Sequence, residues 1–182
     1  MNKDELIIYT DGSFSSADKI SSLSFTYFTN SHPENIRFFS ASKNTNYTDD
    51  NNLIEGEAIK KALEHINPDK YEKIKIYTDS QNVLDRLVIK PEKYNEPFFN
   101  EMKHLIPFHC ELNWVKGHSK NYHNFVVDLL CKLAREENKK NKEINNDYIV
   151  CEKFYTQEFF LKFKPHMKDK KMLSMLIKSF FS

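Results

Sequence analysis

The order of the element patterns constrains this chain more than any other feature: three strand patterns come in succession, and helix and strand patterns then alternate. Glu5 to Thr10 is rich in β-formers and runs into Asp11-Gly12-Ser13, a turn signal. Leu23 to Thr29 and Asn35 to Ser42 follow, parted by Asn30-Ser31-His32-Pro33, which predicts a three-stranded antiparallel meander. Beyond a polar loop over 44–52, Leu53, Ile54, Ala58, Ala62, Leu63 and Ile66 recur at helical spacing until Asn67-Pro68 stops the helix. Lys73 to Thr78 alternates as a strand, and Ser80 caps a helix that runs toward Ile89 and is broken by Pro91. Phe98 to Ile106 reads as a helix and Glu111 to Val115 as a fifth strand. Phe125 to Arg135 is a helix striped by Val126, Leu129, Leu130 and Leu133. Strands first and an alternation afterwards predict a mixed α/β sheet.

Composition narrows the class further. The chain has 182 residues, enough for one domain with an appendage. With 40% hydrophobic and 29% charged residues it is not a disordered tail. No apolar run exceeds four residues, against about 20 for a membrane span, and the opening MNKDELIIYT lacks a secretory leader. A cytoplasmic protein is expected, with no membrane partner. Cys110, Cys131 and Cys151 are too few and too scattered for a disulfide framework or a cysteine zinc site.

Charge is uneven along the chain. Residues 138–182 carry ten lysines against five acids, whereas 1–137 carry 17 basic against 21 acidic residues, so a mildly acidic body bears a basic tail. Three regions are expected: a domain over 1–137, a polar linker over 138–147 and a basic, aromatic-rich extension over 148–182. Two readings of the extension stand side by side. Met172, Leu173, Leu176, Ile177 and Phe180 fall at helical spacing, as for packing or docking to a protein; lysines interleaved with eight aromatics also suit nucleic-acid contact.

The only three glycines, Gly12, Gly56 and Gly117, each stand beside an acid or a histidine. Gly12 and Gly117 fit turns at strand ends. Gly56 would sit inside a helix at a cost of about 1 kcal/mol relative to alanine, which suits close approach by a neighbour. Asp11 and Asp79 end strands in the matching strings YTDGS and YTDS, and carboxyl ends of strands are where open α/β sheets hold ligands. Glu55 lies on the first turn of a helix, and Asp128 interrupts the apolar string VVDLL, where an isolated carboxylate must find solvent, a partner or a cation. If the four converge, they form a hard-oxygen site for Mg²⁺ or Mn²⁺.

The strings YTDGS, NNLIE, YTDS and WVKGHSKNYHNFVVD, in that order over residues 5–137, resemble ribonuclease H of type 1. The resemblance implies a five-stranded mixed sheet flanked by helices and an endonuclease that cleaves the RNA strand of RNA–DNA hybrids, leaving 5′-phosphate and 3′-hydroxyl ends. It implies that Asp11, Glu55, Asp79 and Asp128 are catalytic metal-binding carboxylates and His118 a catalytic histidine assisting proton transfer or product release. Asn52 and Gln81 match positions that contact the hybrid. Gly12, Ser13, Asn51 and Asn124 belong to the same substrate path. Glu57 is the rival of Glu55 and is read as solvent-facing. An anionic phosphodiester approaching clustered carboxylates needs divalent cations between them, and two ions about 3.5–4 Å apart suit in-line displacement.

Three departures stand out. Phe14-Ser15-Ser16-Ala17-Asp18 replaces the glycine-rich turn of many relatives, Asp79 and Trp114 are too close in sequence for the basic helix several cellular relatives insert there, and Asp49-Asp50 stands where relatives often have a threonine contacting a DNA phosphate. Two alternatives follow: a catalytically silent scaffold or binding domain, and a related nuclease with altered nucleic-acid preference. His123 is read as loop surface and Trp114 as packing beneath the site.

Overall fold

The computed structural model describes residues 4–45, 50–94, 96–117 and 121–141 and the backbone of 151–152. Its strands are β1 (Glu5–Ser15), β2 (Ile20–Thr29), β3 (His32–Asn44), β4 (Lys73–Thr78), β5 (Cys110–Trp114) and a two-residue β6 (Cys151–Glu152). They form one mixed sheet in the order β5-β4-β1-β2-β3-β6. β1, β2 and β3 are an antiparallel meander, and β4 and β5 are parallel to β1. The expected five strands are present, and β6 adds a short pairing of Phe39 with Glu152 and Ser40 with Cys151.

Its helices are α1 (Asn51–His65), α2 (Gln81–Leu84), α3 (Pro97–Leu105) and α4 (Tyr122–Asn141). Asp50 caps α1, its carboxylate accepting from the Asn52 N–H at 3.0 Å, and Ser80 caps α2. α2 runs on as a wider π turn over Asp85–Ile89 before Pro91. No described helix is long and apolar enough to cross a membrane.

The sheet is covered on both faces for a reason visible in β2. In ISSLSFTYFT, Leu23 and Phe25 join Leu6, Ile8, Phe39 and Ala41 against Ile54, Ala58, Ile59, Phe99 and Met102 of α1 and α3. The alternate serines lie under α4, small enough for a helix to pack closely on the strands. Ser24 Oγ donates to the Val127 carbonyl at 2.7 Å and Ser42 Oγ to that of Ala134 at 2.9 Å, so these buried hydroxyls are satisfied by the helix backbone.

Two boundaries differ from expectation. β1 does not turn at Asp11-Gly12-Ser13; it stays paired with β2 as far as Ser15↔Ile20, and the turn falls at Ser16–Lys19. Gly12 therefore lies inside a strand, where a Cβ would come within 2.5 Å of the backbone of Ile54 and Glu55. Close approach of α1, not a turn, is what requires glycine there. α4 reaches Asn141, so residues 138–141 of the expected linker are helix: Asn138 is buried and donates to Ser42 Oγ at 3.2 Å. The rest of the expected linker and, β6 apart, the extension 148–182 lie outside the described residues.

Candidate active site

β1 and β4 pair in parallel up to Tyr9↔Tyr77, so Asp11 and Asp79, each two residues further on, leave adjacent strands at the same end of the sheet. Glu55 reaches the same point from the second turn of α1, which the missing Gly12 side chain lets settle against β1. Asp11, Glu55 and Asp79 each offer a carboxylate oxygen, all within 4.8 Å of one another. They line a cavity of about 320 Å³ with Gly12, Ser13, Asn124, Phe125 and Asp128.

Each carboxylate is held by neighbours. Glu55 Oε2 accepts from the Gly12 N–H at 3.2 Å. Asp79 Oδ2 accepts from Asn124 Nδ2 at 3.1 Å, and the Trp114 indole N–H donates to the Asp79 carbonyl at 3.1 Å. A Cβ on Gly117 would come within 2.8 Å of Asp79 Oδ2, so this glycine also leaves room for the acid. Behind Asp11, the buried Cys131 thiol donates to its carbonyl at 3.4 Å.

Asp11 and Glu55 are only 8% and 9% exposed. Burial pushes the Asp11 carboxyl up to about 7, helped by the charges of Asp128 and Asp79. Burial, then Asp11 and Asp79, drive Glu55 well above the ordinary carboxylate range. Desolvated like charges this close call for a countercharge, and an all-oxygen donor set fits a hard divalent cation such as Mg²⁺ or Mn²⁺.

The expected residues do not all meet. Asp128 faces the same cavity from α4, but it stands outside the close group of three, and its Oδ2 pairs with Lys132 Nζ at 2.6 Å one helical turn on. His118 lies outside the described residues. Ser13 and Asn124 line the cavity, the latter 4% exposed with its Oδ1 lacking a hydrogen-bond partner. Asn51, Asn52 and Gln81 do not line it: Asn51 Oδ1 accepts from the Phe14 N–H at 3.2 Å, Asn52 Nδ2 donates to Asp50 at 2.8 Å, and the exposed Gln81 donates to Asp85 at 3.4 Å. Glu57 points away and pairs with Lys43 at 3.5 Å.

Two readings of nearby aromatics are corrected. His123 is not loop surface; it is on the first turn of α4, its ring stacked 4.8 Å from both Tyr9 and Phe28, and burial lowers its pKa to about 4. Trp114 is 49% exposed rather than buried beneath the site. Sequence reasoning also missed Phe125 in the cavity wall and the Lys132 partner of Asp128. The i,i+4 spacing was a signal for the pair; nothing local marks Phe125.

An open mixed sheet with a carboxylate cluster at the carboxyl ends of two parallel strands defines a class of α/β proteins that hold ligands at strand ends. Residues 3–136 match the family model described as RNase H, and the chain belongs to the RNase H family. Membership supports nuclease activity on RNA–DNA hybrids. No match to a characterised protein was found.

Proposed function

We propose that the chain is an endoribonuclease that hydrolyses the RNA strand of RNA–DNA hybrids with two Mg²⁺ or Mn²⁺ ions, leaving 5′-phosphate and 3′-hydroxyl ends. The observation that carries this is the convergence of Asp11, Glu55 and Asp79 oxygens within 4.8 Å in an open cavity. When bound, divalent ions neutralise the carboxylates, activate the attacking water and stabilise the leaving 3′-oxygen.

The chain's own residues orient that site. Asp11, Glu55 and Asp79 would hold the ions, the second of the three fixed by the Gly12 N–H and the third by Asn124. Asp128, on the cavity wall, completes the carboxylate set once it turns from Lys132. His118 serves proton transfer or product release. Asn52 and Gln81 read the 2′-hydroxyl, an amide being able both to donate and to accept; their present bonds to Asp50 and Asp85 are on the protein surface and exchangeable. Ser13, Asn51 and the backbone of Gly12 flank the strand. Residues 1–137 form the catalytic domain in this reading, and 148–182 an extension that contacts nucleic acid or protein. The free thiols of Cys110 and Cys131 suit a reducing cytoplasmic setting.

The test is a labelled hybrid incubated with Mg²⁺ beside matched RNA and DNA duplexes. Cleavage confined to the RNA strand of the hybrid, falling about 10²-fold or more in Asp79→Asn, is the expected result. Cleavage of a duplex but not the hybrid would establish an altered preference, and cleavage of none would make the chain a binding module.

A further inference from the structure

We propose that Arg135 forms, with the flanking cations of α4, a seat for backbone phosphates of the bound strand outside the reacting centre. This rests on the nuclease reading above and adds a specific contact to it. Asp128, Lys132, Arg135 and Lys139 are spaced 4, 3 and 4 residues apart, so they form one stripe along α4. The stripe starts at the cavity wall with Asp128 and ends beside the β1–β2 turn, where Lys139 pairs with Asp18 at 2.8 Å. A body that is net acidic thus presents a row of three cations leading away from its anionic cavity.

Within that row Arg135 is distinct. Lys132 is held by Asp128, and Lys139 by Asp18 and Glu136. The Arg135 guanidinium donates through Nη1 to Ser13 Oγ, its hydrogen-bond partner among the described residues, and Asp18 adds only a charge nearby. Ser13 lines the cavity, so the guanidinium is anchored at the rim with further N–H donors to offer. A planar fork of this kind suits two phosphate oxygens better than an ammonium does.

Seven residues of helix separate Asp128 from Arg135, about 10 Å along the axis. That span sets the guanidinium away from the carboxylate cluster. The seat therefore serves binding and register rather than the chemical step.

Steady-state cleavage of a labelled RNA–DNA hybrid by the full chain, followed over a salt series, tests this. Arg135→Gln is expected to raise KM about three- to tenfold with kcat unchanged, and to reduce the slope of log(kcat/KM) against log salt by about one. Arg135→Lys keeps the charge, so it should keep the slope while recovering only part of KM. A loss of folding would instead lower kcat and leave the salt slope alone, and should Arg135→Gln not fold, the Arg135→Lys pattern alone decides. If the parent chain cleaves hybrid and both variants match it in KM and slope, the seat is wrong and the nuclease reading survives. If the parent cleaves no hybrid, both fall together.

Discussion

Asp11 sets the strongest expectation at the scale of single residues. Its carboxyl loses a proton near 3.8 in the unfolded chain but near 7 in the folded, cation-free protein. Between those values the folded state binds more protons, so stability falls as pH rises through that window. Thermal melting in a chelator should therefore show Tm declining from pH 4 to 7, and Mg²⁺ should restore it more at pH 8 than at pH 5. A Tm that climbs over that range contradicts the electrostatic account. Asp11→Asn removes one of the crowded charges, so the cation-free protein at pH 8 should become more stable by about 1–2 kcal/mol while cleavage is lost, a trade of function for stability. Gly12→Ala works the other way. Its Cβ would meet helix backbone at 2.5 Å, and backbone cannot step aside, so denaturant melts should show a loss of about 2–3 kcal/mol. The acids themselves were legible in the sequence because Asp11 and Asp79 end apolar strands, Glu55 lies near the start of a helix and Asp128 interrupts an apolar string. The reason for Gly12 was not, because the helix that presses on it begins 39 residues later and Asp-Gly reads locally as a turn.

The same contrast holds for secondary-structure elements. β4 was readable to its ends, since KIKIYT alternates cleanly and its buried residues are Ile74, Ile76 and Thr78. β1 was not, because its last residues are held by pairing with β2 rather than by β-forming side chains. The turn that follows lacks glycine, and Lys19 takes φ 54°, the left-handed region that costs a side-chain-bearing residue about 1 kcal/mol. Lys19→Gly should accordingly raise Tm by about 1–3 °C in a scanning calorimeter; an unchanged or lower Tm would mean the turn is not strained. α4 outran its expected end because Asn138 is a polar residue with a buried partner, which composition reads as linker. His123 shows the limit again: a histidine next to the site motif looked like surface, yet its ring is stacked between Tyr9 and Phe28 and fixes the first turn of α4 to the sheet.

At the largest scale, a carboxylate cluster of this kind depends on parts far apart in the chain meeting at one end of a sheet. Parallel pairing of β1 with β4 aligns two aspartates, glycine lets α1 bring a glutamate over them, and serines let α4 close the other face with Asp128 at the cavity wall. Three of the four expected carboxylates share one point, and the fourth is turned toward Lys132 by a helical neighbour. Divalent cations are expected to bind at this point. Anomalous diffraction from crystals soaked in Mn²⁺ addresses this binding directly: a peak is expected about 2.0–2.2 Å from oxygens of Asp11, Glu55 and Asp79 together. A map with no peak there, or with Mn²⁺ bound only elsewhere, would contradict it.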